Sequence, residues 1–137
     1  MNKFELDSRL AQDCIVIGKL NISQLLLMNN SLVPWFILVP ERTATEITDL
    51  LHSEQLIILE EINFVSSFVK ANFEISKLNI AAIGNIVSQL HIHIVGRNPS
   101  DYCWPNVVWG TKQRELYTVE QIKKITTTLR EQLNKFS

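Results

Sequence analysis

The sequence has few of the features that assign a chain to a specialised class of protein. Its 137 residues include only two cysteines, Cys14 and Cys103, and these show no CxxC spacing, so neither a zinc cluster nor a disulfide framework is indicated. Two unpaired thiols favour a reducing compartment. The 13 basic and 14 acidic residues nearly cancel, whereas proteins that bind nucleic acid polymers concentrate positive charge.

Long apolar segments are also absent from the sequence. Runs such as residues 25–28 and 35–39 are too short to span a bilayer. The mixed charges of the first ten residues leave no room for the apolar core of a signal peptide. No repeat, low-complexity tract or linker divides the chain. We therefore expect a single domain over residues 1–137, located in the cytoplasm, with neither a membrane nor a nucleic acid polymer as partner.

The apolar residues that are present predict alternating secondary structure. Short apolar runs bounded by turn-forming residues predict strands over residues 14–18, 20–28, 35–39, 77–82 and 87–95. Apolar residues at helical spacing predict a short helix near the start, and further helices after Thr43 or Thr45, from Ser53 to about Asn72, and after Thr118. Strands interrupted by a central helical block predict an α+β fold, with an antiparallel sheet of about five strands and helices packed on one side.

The segment from residue 88 to 97 carries the residues with chemical potential. Two of the three histidines in the chain, His91 and His93, lie two positions apart in it. Alternate side chains of a strand share a face, so Gln89, His91 and His93 are predicted to lie together, backed by the apolar residues between them. An imidazole on such a face can attack phosphorus, and another one beside it can stabilise anionic oxygens or move a proton.

The pattern Gln89-Leu90-His91-Ile92-His93-Ile94-Val95 resembles the His-φ-His-φ-His-φ-φ motif, with φ apolar, of the histidine triad nucleotide hydrolases and transferases. In this register Gln89 replaces the first histidine, His91 matches the nucleophile and His93 matches the last histidine. Residues 104–110 are similar to a bacterial branch of this family that also carries glutamine at the first position. The family often places a further histidine near the position of Trp35 or Phe36, where this chain has none.

Residues 27–40 and 77–85 extend the resemblance to most of the chain. Residues 27–40 are similar to the family's nucleoside-facing strand pair, and residues 77–85 are similar to the strand and turn before the triad. The resemblance implies substrate contacts from five further side chains: Met28, Asn29 and Asn30 near the base and ribose, and Asn79 and Asn85 at phosphate oxygens.

The resemblance also implies an activity. His91 would attack the α-phosphate of a phosphoramidate or dinucleoside polyphosphate and form a nucleotidyl-histidine intermediate, with Gln89 and His93 as the other catalytic residues. The implied partners are a nucleotide-type small molecule and another copy of the chain in a homodimer. The histidine step implies no metal and no cofactor, although polyphosphate substrates can arrive as magnesium complexes.

Other interpretations of these residues stay open. Glutamine cannot carry a proton, so the chain could be a nucleotide-binding module without turnover, or a structural dimer that binds no nucleotide. The two histidines also fit a half-exposed polar strand face, or a metal site to which Asp101 or Cys103 adds a ligand. The asparagines fit turns, Trp109 fits a packing role, and Arg97 fits an ordinary surface charge.

Overall fold

Short apolar runs form strands close to the positions that the sequence predicts. In the computed structural model, which describes residues 3–136, the strands are β1 (Cys14–Lys19), β2 (Ser23–Met28), β3 (Trp35–Pro40), β4 (Lys77–Ala81) and β5 (Ile92–Arg97). They form one antiparallel sheet in the order β1-β2-β3-β5-β4. The helices of the described residues are α1 (Ser8–Asp13), α2 (His52–Asn72) and α3 (Val119–Phe136), with a 3₁₀ turn at Ile47–Asp49. The predicted α+β fold with five antiparallel strands is confirmed.

The alternation of side chains gives the sheet two different faces. One face packs against α2 and α3 and is called the helix-covered face; it includes Phe36, Leu38, Ile92 and Ile94. The opposite face is called the cavity face, and it includes Trp35, Ile37 and Val95, which pack with residues of α1 and of the segment 102–109. Successive residues of β3 point to opposite faces, and all six are buried because both faces are covered there.

The predicted strand over residues 87–95 is wrong in its first five residues. β5 begins only at Ile92, and residues 82–91 form a loop that starts after Ala81 and turns through Gly84, whose φ of +72° suits glycine. The register pairs Leu38 with Ile92, so its continuation would set Leu90 opposite Pro40. Proline has no backbone N–H to donate to a ladder, which limits pairing at this end of β3.

The helices differ in how well the sequence predicts their starts. Thr118 caps α3 as predicted, because its hydroxyl accepts from the Gln121 N–H at 3.1 Å while the Gln121 side chain accepts from the Thr118 N–H at 2.8 Å. The predicted helix after Thr43 or Thr45 is only the 3₁₀ turn, since α2 already begins at His52 and leaves no length for it. Within residues 3–136, no helix is long and apolar enough to cross a membrane.

Candidate functional site

A cavity of about 710 Å³ opens on the cavity face of the sheet. His91 and His93 line it together with Trp35 and Ile37 of β3. Residues of α1, of the end of β2 and the turn after it, of the loop 83–87 and of the segment 108–114 supply the remaining walls. The described part of the chain therefore places both histidines in a concave site of the size that small ligands occupy.

His91 is held by the backbone immediately before it. Its Nδ1 lies 2.7 Å from the carbonyl oxygen of Gln89, and the residue is 7% exposed. A carbonyl oxygen only accepts hydrogen bonds, so Nδ1 of His91 carries the proton in this contact. The other ring nitrogen, Nε2, then holds the lone pair of the neutral imidazole, which is the form that a nucleophile requires.

His93 lies beside His91, with their ring centroids 4.8 Å apart. Its Nδ1 is 3.0 Å from the indole Nε1 of Trp35, which donates across the two adjacent strands. Burial, with a smaller contribution from His91, lowers the pKa of His93 from 6.5 to about 4. His93 is therefore neutral at pH 7.

Trp109 closes the side of the cavity next to His93. Its ring packs edge-on against His93, with centroids 5.3 Å apart, and against Trp35, with centroids 6.1 Å apart. Its Nε1 is buried and has no hydrogen-bond partner among the described residues. The indole therefore contributes through the packing of its apolar ring, which excludes water from His93.

Arg97 anchors the segment that carries Trp109. It is 2% exposed, and its guanidinium makes two bonds to the Asp101 carboxylate, at 2.8 and 3.1 Å. It also donates to Asn79 Oδ1 and to the Asn106 carbonyl, both at 2.8 Å. Burial alone would raise the pKa of Asp101, but the bond from Arg97 and backbone N–H bonds outweigh it and hold the pKa at about 2. Arg97 is thus a buried anchor and not the ordinary surface charge that the sequence left open.

The structure brings some of the predicted substrate-binding residues to the cavity and leaves others away from it. Met28, Asn30 and Asn85 line the cavity. Asn29 does not; it lies in the bend that follows β2, and its Oδ1 accepts from the Tyr117 N–H at 3.0 Å. Asn79 pairs with Val95 and therefore lies on the cavity face, but its Oδ1 is engaged by Arg97 and it is not part of the lining.

Gln89 does not share a strand face with the two histidines, which corrects the arrangement expected from the sequence. It precedes β5, and its side chain is bound to the N-terminal segment instead. Its Oε1 accepts from the Asp7 N–H and its Nε2 donates to the Glu5 carbonyl, both at 2.9 Å. Gln89 therefore meets His91 through its backbone carbonyl, while its amide holds the segment that leads into α1.

Charged residues at the cavity are predominantly basic. Arg9, Lys112 and Arg114 line it, against the single acidic residue Asp13. This excess of positive charge favours an anionic ligand. No group of three or more His, Cys, Asp or Glu side chains that could hold a metal ion occurs within residues 3–136.

Several residues of the site escaped prediction from the sequence. Trp35 lies on the same face as His93 because it pairs with Val95, two residues further along β5. The contact between Trp35 and His93 depends on the register of β3 and β5, which cannot be read from the local sequence. The basic residues Arg9 and Lys112 come from distant segments and carry no local motif. The Trp109-Gly110 pair was the one available signal, because aromatic residues in an irregular segment often cover a site.

Comparisons with known proteins agree with this geometry. A family model described as the HIT domain matches residues 9–100. A histidine triad protein from Bradyrhizobium japonicum is 39% identical with a TM-score of 0.92, over 96% of this chain and 99% of its own. One from Marinobacter aquaeolei VT8 is 36% identical with a TM-score of 0.92, over 99% and 100%. The diadenosine triphosphate hydrolase of Plasmodium falciparum shares the fold, with 21% identity and a TM-score of 0.63, over 100% and 88%. No curated protein sequence matches the chain.

Proposed function

This chain belongs to the histidine triad (HIT) family, and we propose that it hydrolyses nucleotidyl substrates through a covalent bond between His91 and the α-phosphorus. HIT proteins bind nucleotide-type substrates, which is the coarse function that family membership supplies. The finer statements below concern the substrate, the intermediate and the role of each residue in this chain.

The state of His91 is the observation that carries the proposal. The Gln89 carbonyl holds the proton on Nδ1, at 2.7 Å, and so keeps a lone pair on Nε2. His91 lines the cavity, where that lone pair is available to a phosphorus atom. In the neutral ring this contact presents Nε2 as the nucleophilic nitrogen, which is the orientation that nucleophilic catalysis requires.

The reaction proceeds in two displacements. In the first, the bond between His91 Nε2 and the α-phosphorus forms, the bond to the leaving group breaks, and the leaving group keeps the electron pair. In the second, a water oxygen attacks the same phosphorus, the N–P bond breaks, and its electron pair returns to Nε2. The water's proton passes to solvent, and the products are a nucleoside monophosphate and the leaving group.

The surroundings of His91 support an anionic substrate. Arg9, Lys112 and Arg114 supply positive charge at the cavity. His93 and Asn85 line the same cavity, and we assign to them the donation of hydrogen bonds to phosphoryl oxygens, which is the role of preorganised donors. Met28 and Asn30, which also line the cavity, then contact the nucleoside. The Plasmodium falciparum hydrolase acts on diadenosine triphosphate, so we choose this molecule as the test substrate.

A homodimer in the cytoplasm is part of the proposal. Cys14 and Cys103 are free thiols, which favours a reducing compartment. β4 is an outer strand, and the exposed side chains Ile80, Ile83 and Ile86 lie on or just after it. Light scattering after size exclusion should give twice the chain mass of 15.8 kDa. A single chain mass at micromolar concentration would contradict the dimer.

A nucleotide-binding module without turnover is the alternative candidate. The observation that favours it is Gln89, whose side chain is occupied by Asp7 and Glu5 and carries no ionisable proton. This candidate predicts that the cavity binds a nucleoside monophosphate and that diadenosine triphosphate remains intact.

Turnover of diadenosine triphosphate separates the two candidates. The wild-type protein should release AMP and ADP, and His91→Ala should reduce kcat/KM by roughly 10⁴-fold or more, as loss of a nucleophile does. His52→Ala is the matched control, because His52 is exposed on α2 and does not line the cavity. Binding of AMP without any cleavage by the wild-type protein would instead establish the binding module.

A further inference from the structure

His93 and His91 carry opposite hydrogen-bond assignments. The indole N–H of Trp35 only donates hydrogen bonds, so Nδ1 of His93, 3.0 Å away, must hold a lone pair. The proton of the neutral His93 ring is then on Nε2. His91 is the reverse, because the Gln89 carbonyl fixes its proton on Nδ1. The cavity therefore contains one Nε2 lone pair and, 4.8 Å away between ring centroids, one Nε2–H donor.

The contact with Trp35 also opposes a positive charge on His93. A further proton on Nδ1 would set two N–H groups against each other in a place where His93 is 6% and Trp35 8% exposed. Burial and His91 already lower the pKa of His93 to about 4. The neighbouring strands contribute apolar partners, Ile37 and Ala81. Besides His91, the titratable or charged groups that line the same cavity are Arg9, Asp13, Lys112 and Arg114.

We propose that Trp35 is a positioning residue that keeps His93 an uncharged Nε2–H donor and so restricts the enzyme to leaving groups that depart as stable anions. This inference rests on the proposed function, since it concerns the bond that breaks when His91 attacks. A neutral imidazole N–H stabilises an anionic oxygen by hydrogen bonding. It is too weak an acid to deliver its proton at neutral pH.

The two substrate classes differ in what the breaking bond requires. With diadenosine triphosphate, the P–O bond to the β-phosphoryl group breaks, and ADP leaves with the electron pair as an anion. With a phosphoramidate of an alkyl amine, the P–N bond breaks, and the amine nitrogen needs a proton as it departs. His91 uses its Nε2 lone pair for the attack, and its Nδ1–H stays donated to the Gln89 carbonyl. His93, held as a neutral Nε2–H donor by Trp35, cannot supply the proton that the departing amine needs.

Nitrogen NMR of the histidine rings tests the tautomer and charge of His93 without any substrate. The chain has only three histidines, so single substitutions assign every ring. Between pH 5 and pH 8, wild-type His93 should show a protonated Nε2 and a bare Nδ1, with no conversion to the cation at pH 7. Trp35→Phe removes the donor and should raise the pKa of His93 and mix its tautomers. A wild-type His93 that carries its proton on Nδ1, or that is cationic at pH 7, would overturn the proposal.

Trp109→Phe is the matched control for that experiment. Trp109 also packs edge-on against His93, but its Nε1 bonds to none of the described residues, so the change removes an indole N–H of no consequence to the ring. The His93 tautomer should therefore be the same in Trp109→Phe as in the wild type. A tautomer change of equal size in both variants would assign the effect to aromatic packing and reject the role of the Trp35 N–H.

Kinetics with two adenylyl substrates test the consequence. The wild-type protein should prefer diadenosine triphosphate over an N-alkyl adenosine phosphoramidate by roughly 10²-fold or more in kcat/KM, the lower end of what a general acid supplies. Trp35→Phe should narrow that ratio, and Trp109→Phe should keep it. An equal preference in the wild type, or an unchanged ratio in Trp35→Phe, overturns the restriction. Cleavage of neither substrate, with the expected NMR result, would reject the proposed function and the restriction while the tautomer assignment holds.

Discussion

The helix-covered face and the cavity face of the sheet are filled by different kinds of side chain, although they alternate along the same strands. The helix-covered face is almost wholly aliphatic and aromatic and is closed by two long helices. The cavity face adds two histidines and two tryptophans and is covered by a short helix and irregular segments. Regular elements close the face that provides stability, while loops shape the face that leaves room for a ligand.

One charged group interrupts the helix-covered side and shows how such a group is tolerated there. Glu61 of α2 is fully buried, and its carboxylate accepts from the Ile22 N–H at 2.9 Å and from the Ser23 hydroxyl at 2.6 Å. On the cavity side, Arg97 is likewise buried and bonded to Asp101, Asn79 and the Asn106 carbonyl. In both places the buried charge ties one element to the next, because an unpaired charge there would be costly.

The largest expected effect on stability belongs to the helix-covered face. Phe36→Ala should lower the free energy of unfolding by about 3–5 kcal/mol, since the ring is fully buried and packs edge-on against Phe68 and Phe73. Urea denaturation measures this loss. Leu59→Ala is the control, because Leu59 of α2 is 53% exposed and should lose less than about 1 kcal/mol. Equal losses in both variants would contradict the stabilising role of the buried helix-covered face.

The next largest effect should come from the anchor of the covering segment. Arg97→Met should lower the free energy of unfolding by about 3 kcal/mol, because it leaves the Asp101 carboxylate buried and unpaired. Chemical denaturation of Arg97→Met beside the double variant with Asp101→Leu separates pairing from packing. The double variant should recover most of the loss, and a double variant as unstable as the single one would count against the pairing.

A smaller effect should appear in the pH dependence of stability. The pKa of His93 is about 4 in the folded state against 6.5 ordinarily, so the unfolded chain takes up the proton first as pH falls. The contribution of neutral His93 to the free energy of unfolding is complete above pH 6.5. It is lost between pH 6.5 and pH 4, a change on the order of 2–3 kcal/mol. His93→Asn keeps an acceptor for Trp35 without titrating. The difference in unfolding free energy between wild type and this variant should shrink as pH falls through this window, and a constant difference would contradict it.

The smallest of these effects concerns Gln89. Gln89→Ala removes two hydrogen bonds to the N-terminal segment and should lower the unfolding free energy by about 1–2 kcal/mol. The backbone carbonyl that holds His91 is retained, so kcat/KM for diadenosine triphosphate should fall less than about tenfold. Parallel denaturation and turnover assays compare the two losses. A fall in kcat/KM beyond a hundredfold, with little loss of stability, would make the Gln89 side chain itself catalytic.

Local pattern was sufficient to predict most of the helix-covered face. The apolar runs of β1 to β4, the spacing along α2 and the Thr118 cap of α3 each depend on residues close together in the sequence. The start of β5 was wrong because it depends on the pairing partner offered near Pro40, which lies on another strand. A helix was predicted where only the 3₁₀ turn at Ile47–Asp49 occurs, because the spacing of apolar residues does not reveal how little chain remains before α2 begins.

The candidate site was predictable only where it follows a motif. His91 and His93 stand out because two of three histidines alternate before an apolar pair. The bond from Trp35, the cover by Trp109 and the anchor at Arg97 join segments that are separate in the sequence. Such contacts follow from register and loop path, which no local pattern contains. The same reason explains why the sequence did not reveal that Asn29 and Asn79 lie outside the cavity lining.

Mass spectrometry of the covalent intermediate tests the central claim most directly. Wild-type protein mixed with diadenosine triphosphate and quenched without acid should carry a transient adduct of one adenylyl group, mapped to His91 by fragmentation. The His91→Ala variant should carry none, while the His52→Ala control should behave like the wild type. Release of AMP and ADP at normal rates with no adduct on His91, or with the adduct also present in His91→Ala, would contradict the account.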